Sequence, residues 1–194
     1  MEITALLKSF IYVTSSALFV PVLLALTILT LWMVMYCGTF CAMWLQRRRL
    51  SREFDAIAAL LQGDFTPFTA PVRAFAAAVA ALDTCCHETA VINLLRDYEL
   101  SSWKRLDTLK LVIRIGPGLG LIGTLIPMGT GLAALGQGNL TQLSGDLVIA
   151  FTTTVVGMAL GLLSYMFFTI QRRWVEEDMK NMELYAEIIV GDRS

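Results

Sequence analysis

Residues 115–135 read IGPGLGLIGTLIPMGTGLAAL and residues 147–170 read LVIAFTTTVVGMALGLLSYMFFTI. Neither stretch holds an Asp, Glu, Lys, Arg or His, and each is long enough to cross about 30 Å of hydrocarbon as a helix, which takes roughly 20 apolar residues. The short loop 136–146 between them forces an antiparallel hairpin. A third uncharged window, 38 residues between Lys8 and Arg47, predicts another span at 20–45, with Pro21 in its first turn, where a missing amide costs little. The expected fold is an all-α membrane protein with three transmembrane helices.

Composition agrees. The 194 residues are 56% hydrophobic and 16% charged, against roughly 25% charged in soluble domains, and mean hydropathy is +0.65. Too little polar surface remains to cover a globule in water, which argues against a soluble enzyme. A cleaved leader fits poorly, because the first apolar window far exceeds an h-region of about 7–15 residues and ends in Arg47, Arg48 and Arg49.

Basic residues set the direction of the spans. Arg47, Arg48, Arg49 and Arg52 follow the first span, Lys104, Arg105, Lys110 and Arg114 precede the second, and Arg172 and Arg173 follow the third. The positive-inside rule then predicts an outside or interfacial N-terminus (1–19), a cytoplasmic segment 46–114, an outside loop 136–146 and a cytoplasmic tail 171–194. Trp44 and Trp174 fall at the predicted cytoplasmic boundaries, where indoles favour the headgroup region.

The segment between the first two spans predicts a cytoplasmic helical bundle. Leu50, Phe54, Ile57 and Leu61 recur at helical spacing before a break at Gly63–Pro67. A further helix is expected from near Pro71 toward Tyr98, with Leu100, Trp103 and Leu106 leading into the second span. In the tail, Met179, Met182, Tyr185, Ala186 and Ile189 form one apolar face of a C-terminal helix.

Several constellations could carry chemistry. Gly118–Gly123 matches the dinucleotide pattern G-x-G-x-x-G, but that fingerprint needs a βαβ unit around it, and these glycines sit inside a membrane span. Gly116, Gly120 and Thr124 instead form one stripe, and Ala150, Thr154, Gly157, Gly161 and Ser164 form a matching one on the third span. Such faces serve close helix packing, or they line a cavity or clasp another membrane helix. A proton path needs a titratable carrier, and neither stripe supplies one. Asp146 reads either as a cation-attracting entrance or as a carboxylate favoured by its helix dipole. Cys85, Cys86 and His87 lack a second ligand pair at zinc spacing, and no nucleophile–base arrangement suggests catalysis. No metal, cofactor or nucleic-acid partner is expected, and no enzymatic activity.

The hairpin resembles the TolQ/ExbB/MotA family of ion-channel subunits. The resemblance lies in Gly120-Leu121-Ile122-Gly123-Thr124 following Pro117, similar to the family's G-L-x-G-T segment. It continues in the alanine, threonine and glycine run from Ala150 to Gly157, where Thr154 stands three residues before the glycine. The resemblance implies that Thr124 and Thr154 face a pore, with Thr153, Gly120, Gly157, Gly161 and Ser164 along the same pathway and Asp146 at its entrance. It implies a homo-oligomeric ring, a pentamer, around the membrane helices of a dimeric TolR/ExbD/MotB-like partner whose aspartate carries the ion, in a bacterial inner membrane. The client system, and H⁺ against Na⁺, stay open. TolQ and ExbB members usually carry an acidic residue where this chain has Ile149, and a segment of about 69 residues is short for a MotA-type stator. The competing expectation is a structural scaffold whose small faces only pack helices.

Overall fold

The computed structural model describes residues 2–50, 68–81 and 87–191, and its elements are all α-helical. They are α1 (Glu2–Leu50), α2 (Ala70–Ala80), α3 (His87–Gly136) and α4 (Leu140–Gly191). The three long helices each contain a stretch apolar and long enough to cross a membrane. Contacts sort the chain into two units. The first holds residues 1–37 and 109–166, the second residues 38–108 and 167–194.

Three boundaries differ from the sequence expectations. Helix α1 begins at Glu2, so Pro21 lies well inside it rather than in its first turn. Residues 137–139 alone connect the hairpin, because Asn139 caps α4: its Oδ1 accepts from the Gln142 amide at 3.1 Å, which turns residues 140–146 into helix. At the preceding helix end, Gly138 has φ 76°, while the Asn139 amide donates to the Ala134 carbonyl and the Gly138 amide to Leu135, both at 3.0 Å. These are the bonds of a Schellman stop, which needs a left-handed residue. Third, the helix expected from Pro71 to Tyr98 is two helices. Phe75 and Tyr98 meet edge to face at 5.6 Å, so the chain reverses between α2 and α3. Helix α3 does run unbroken from the Leu100–Leu106 region into the second span. The apolar face at Phe54, Ile57 and Leu61, the break at 63–67, and Cys85 and Cys86 lie outside the described residues.

In the first unit, α3 and α4 touch backbone to backbone. A Cβ on Gly157 would lie 2.7 Å from the Gly116 oxygen and 2.7 Å from the Gly120 Cα, and one on Gly161 would lie 2.8 Å from the Pro117 ring. Pro117 has no amide to donate, and its ring fills the notch that Gly161 leaves open. The opposite faces carry Leu121, Leu125, Phe151, Val155 and Leu162, all exposed, as a surface turned to lipid or to other membrane helices would be.

The second unit packs by large side chains. Phe68, Val72, Phe75, Val79, Val91, Met179, Met182 and Ala186 form its core, with Tyr98, Tyr185 and Ile189 packed against it. The tail face read from Met179, Met182, Tyr185, Ala186 and Ile189 is therefore the face that packs. Phe40 stacks on Trp174 at 5.4 Å, and Arg47 lies over the same indole at 5.1 Å. Arg47 also pairs with buried Asp178, which accepts a second hydrogen bond from Thr69 at 2.9 Å. Burial pushes the Asp178 carboxyl above its ordinary range, and the Arg47 charge and these hydrogen bonds only partly pull it back.

Candidate functional site

The hairpin brings the two predicted stripes together. Gly116 and Gly120 of α3 meet Gly157 and Gly161 of α4, and a Cβ on Gly123 would lie 2.9 Å from the Thr153 side chain. Of the candidate pore-lining residues, Gly120, Gly157 and Gly161 are thus taken up by helix–helix contact within one chain. Thr153 is 5% exposed and Ser164 fully buried. For the three glycines and Thr153, the other arm of the hairpin fills the room that small residues leave. Thr124 and Thr154 remain partly exposed.

The hydroxyls share one geometry. Thr124 donates to the Leu121 carbonyl at 2.7 Å, Thr152 to Val148 at 2.8 Å, Thr153 to Ala150 at 2.9 Å and Thr154 to Ala150 at 3.2 Å. A hydroxyl has one proton and two lone pairs, so each spends its donor on its own helix and keeps its acceptor capacity. Such a row can receive a proton donor such as water, hydronium or a protonated carboxyl, and it cannot itself be a titrating carrier.

Asp146 takes a role that its spacing did not show. It lies in the second turn of α4, beyond the first turn where a helix dipole acts strongly. Its Oδ2 lies 2.8 Å from the Thr130 hydroxyl, which is also 3.0 Å from the Pro127 carbonyl and shares its one proton between them. Gly131 leaves room for the contact, since a Cβ there would lie 3.4 Å from that of Asp146. The carboxylate fastens the two helices together near the turn end of the hairpin. Sequence reading missed Thr130, although its place three residues after Pro127 is a spacing at which a threonine can reach back to its own helix.

A second feature absent from the sequence reading is an apolar groove of about 570 Å³ between α1 and α4 in the first unit. Leu26, Thr27, Thr30, Ile149, Thr152 and Thr153 are among its walls, so Ile149 presents a hydrocarbon side chain there. Thr27 and Thr30 also donate to their own helix, at 2.8 and 2.7 Å.

These features define a class: a multi-pass helical membrane protein whose second and third spans form a glycine-packed hairpin without an ionisable side chain at its centre. The model of the MotA/TolQ/ExbB proton channel family matches residues 75–184, more than half of the chain, and the protein belongs to that family. The match reaches beyond the hairpin on both sides, from Phe75 on α2 to Leu184 on α4, and so includes core residues of the second unit. No curated protein and no solved structure gives a significant match.

Proposed function

We propose that this chain is the ring-forming subunit of an inner-membrane motor that converts the proton-motive force into mechanical work at the cell envelope. Several copies, five in the family-like arrangement, surround the membrane helices of a TolR/ExbD-like dimer, and the TolQ/ExbB branch fits better than the MotA branch. The N-terminus lies outside, and the segment 46–114 and the tail from 171 lie in the cytoplasm, following the basic residues.

The observation that carries the reading is the acceptor-only hairpin. Thr124 and Thr154 keep lone pairs but titrate nothing, and residues 115–145 and 147–171 hold no Asp, Glu, Lys, Arg or His. Membrane proton transfer needs a titratable group, so a partner's aspartate has to bring it. In its protonated form that carboxyl donates to the Thr154 hydroxyl, which holds it neutral away from water. Once ionised on the inner side it loses this contact, and the difference drives relative motion of ring and guest. Each proton crossing 100 mV releases about 2.3 kcal/mol.

The test is coexpression with a single-span, aspartate-bearing partner. Ring and partner should copurify, and Thr154→Ala should sharply reduce proton-dependent work without dissolving the assembly. Undiminished work would remove Thr154 from the pathway. The glycine contacts favour one other reading, a membrane scaffold whose small faces serve packing only, and it predicts an assembly with no guest helix at its centre.

A further inference from the structure

The second unit holds a cavity of about 430 Å³ that ion conduction leaves unused. Arg47 of α1, Arg73 of α2 and Arg105 of α3 all line it, together with Thr69, Ser101 and Ser102, and no described carboxylate does. Arg47 is held from behind by Asp178, with Glu177 at 3.8 Å, and by the Trp174 ring. Its guanidinium is thus fixed in place, and its charge is largely answered. Arg73 and Arg105 are exposed and make no ion pair among the described residues, so the cavity carries an uncompensated positive charge from two separate helices.

The N-terminus of α2 opens on the same cavity. Its capping residue Thr69 donates its hydroxyl proton to Asp178 and accepts no hydrogen bond from the helix amides, and the first turn has no acidic residue. The Asp178 carboxylate, held against Thr69 and Arg47, already answers the positive end of this helix dipole, so the unbalanced charge comes from Arg73 and Arg105. Ser101 already donates to the Tyr98 carbonyl at 2.9 Å, whereas the Ser102 hydroxyl has no bond among the described residues and is free to donate.

We propose that this cavity binds a phosphoryl oxyanion, with Arg73 and Arg105 as its charged ligands, Ser102 as a neutral donor and Arg47 as a fixed wall. Guanidinium forks match phosphate oxygens in pairs, and converging positive groups without a carboxylate repel one another until an anion arrives. Two sources share this chemistry: an anionic lipid headgroup, since Arg47 lies just past the first span and basic pockets between membrane helices hold such headgroups, and a soluble phosphate compound. The proposal rests on the membrane reading but not on conduction, and its readout is binding, so it stands or falls separately from proton flux.

The test uses the full chain in nanodiscs of phosphatidylcholine, with and without phosphatidylglycerol. Lipid retained after detergent extraction is counted by native mass spectrometry, and tryptophan emission, to which Trp174 beside Arg47 contributes, is followed while inorganic phosphate is added. Preferential retention of phosphatidylglycerol, weakened about fivefold for each of Arg73→Gln and Arg105→Gln, supports a headgroup ligand. A phosphate-dependent emission change lost in the same variants, without lipid preference, supports a soluble one. Circular dichroism checks the fold of each variant. Wild-type protein with neither response, or variants that respond as wild type does, would overturn the proposal.

Discussion

The two units are held together by opposite means. In the first, α3 and α4 approach until backbone meets backbone, and Gly157 has room for no side chain at all. In the second, Phe68, Phe75, Leu106 and Met182 are buried whole, rings stack, and a buried ion pair joins Arg47 to Asp178. Lipid offers helices no hydrophobic reason to associate, so close contact through small residues has to supply the attraction. Burial of large apolar side chains is what water drives, at roughly 25 cal/mol per Å². The mode of packing thus differs between the glycine-packed hairpin and the unit that buries large side chains and an ion pair.

The comparison breaks most sharply at Arg47. Arg47→Met leaves the Asp178 carboxylate buried without its counter-charge and should cost about 3–5 kcal/mol near neutral pH, read as a fall in unfolding temperature in detergent. The sign with pH follows from the raised carboxyl. Its stabilising contribution is fully present below the ordinary carboxylate range and is lost as pH rises through the folded value. The Arg47→Met defect should therefore shrink as the pH falls toward about 4, while the glycine-packed unit shows no such dependence on this group.

In the first unit the corresponding variant is Gly157→Ala. The new Cβ meets backbone on both sides, which no rotamer change relieves, so the helices must part at a cost of about 1–3 kcal/mol. Thr130→Val should cost about 1 kcal/mol by removing the donor to Asp146. Gly118→Ala, where a Cβ meets nothing within 4 Å in the single chain, should change unfolding by less than about 0.5 kcal/mol. A large effect at Gly118 would mean that this face packs against another copy or a partner.

Much of this was legible in the sequence. Uncharged windows longer than a bilayer needs mark the three spans, and the spacing of Met179, Met182 and Ala186 marks the face that enters the second unit's core. Element ends were harder. Pro21 reads as a helix start, yet α1 passes through it, as membrane helices can when neighbours or local adjustment satisfy the freed carbonyl. Asn139 with Gln142 three residues on was a readable start for α4, obscured by the glycines around it. The reversal between α2 and α3 is fixed by the contact of Phe75 with Tyr98, which no local pattern shows. At the candidate site, the stripes were visible, but periodicity could not say whether each would face its twin or a cavity. The structure pairs the glycines and leaves Thr124 and Thr154 partly open. The clasp from Thr130 to Asp146 and the pairing of Arg47 with Asp178 join residues distant along the chain.

The central claim, that Thr154 serves an ion carried by a partner, is tested most directly by proton flux into liposomes that contain the ring and its aspartate-bearing partner, comparing wild type with the near-isosteric Thr154→Val. The account predicts an intact assembly whose flux falls about tenfold, the factor given by one lost hydrogen bond of about 1.4 kcal/mol. Equal flux from the two proteins would contradict it and leave Thr154 a packing residue.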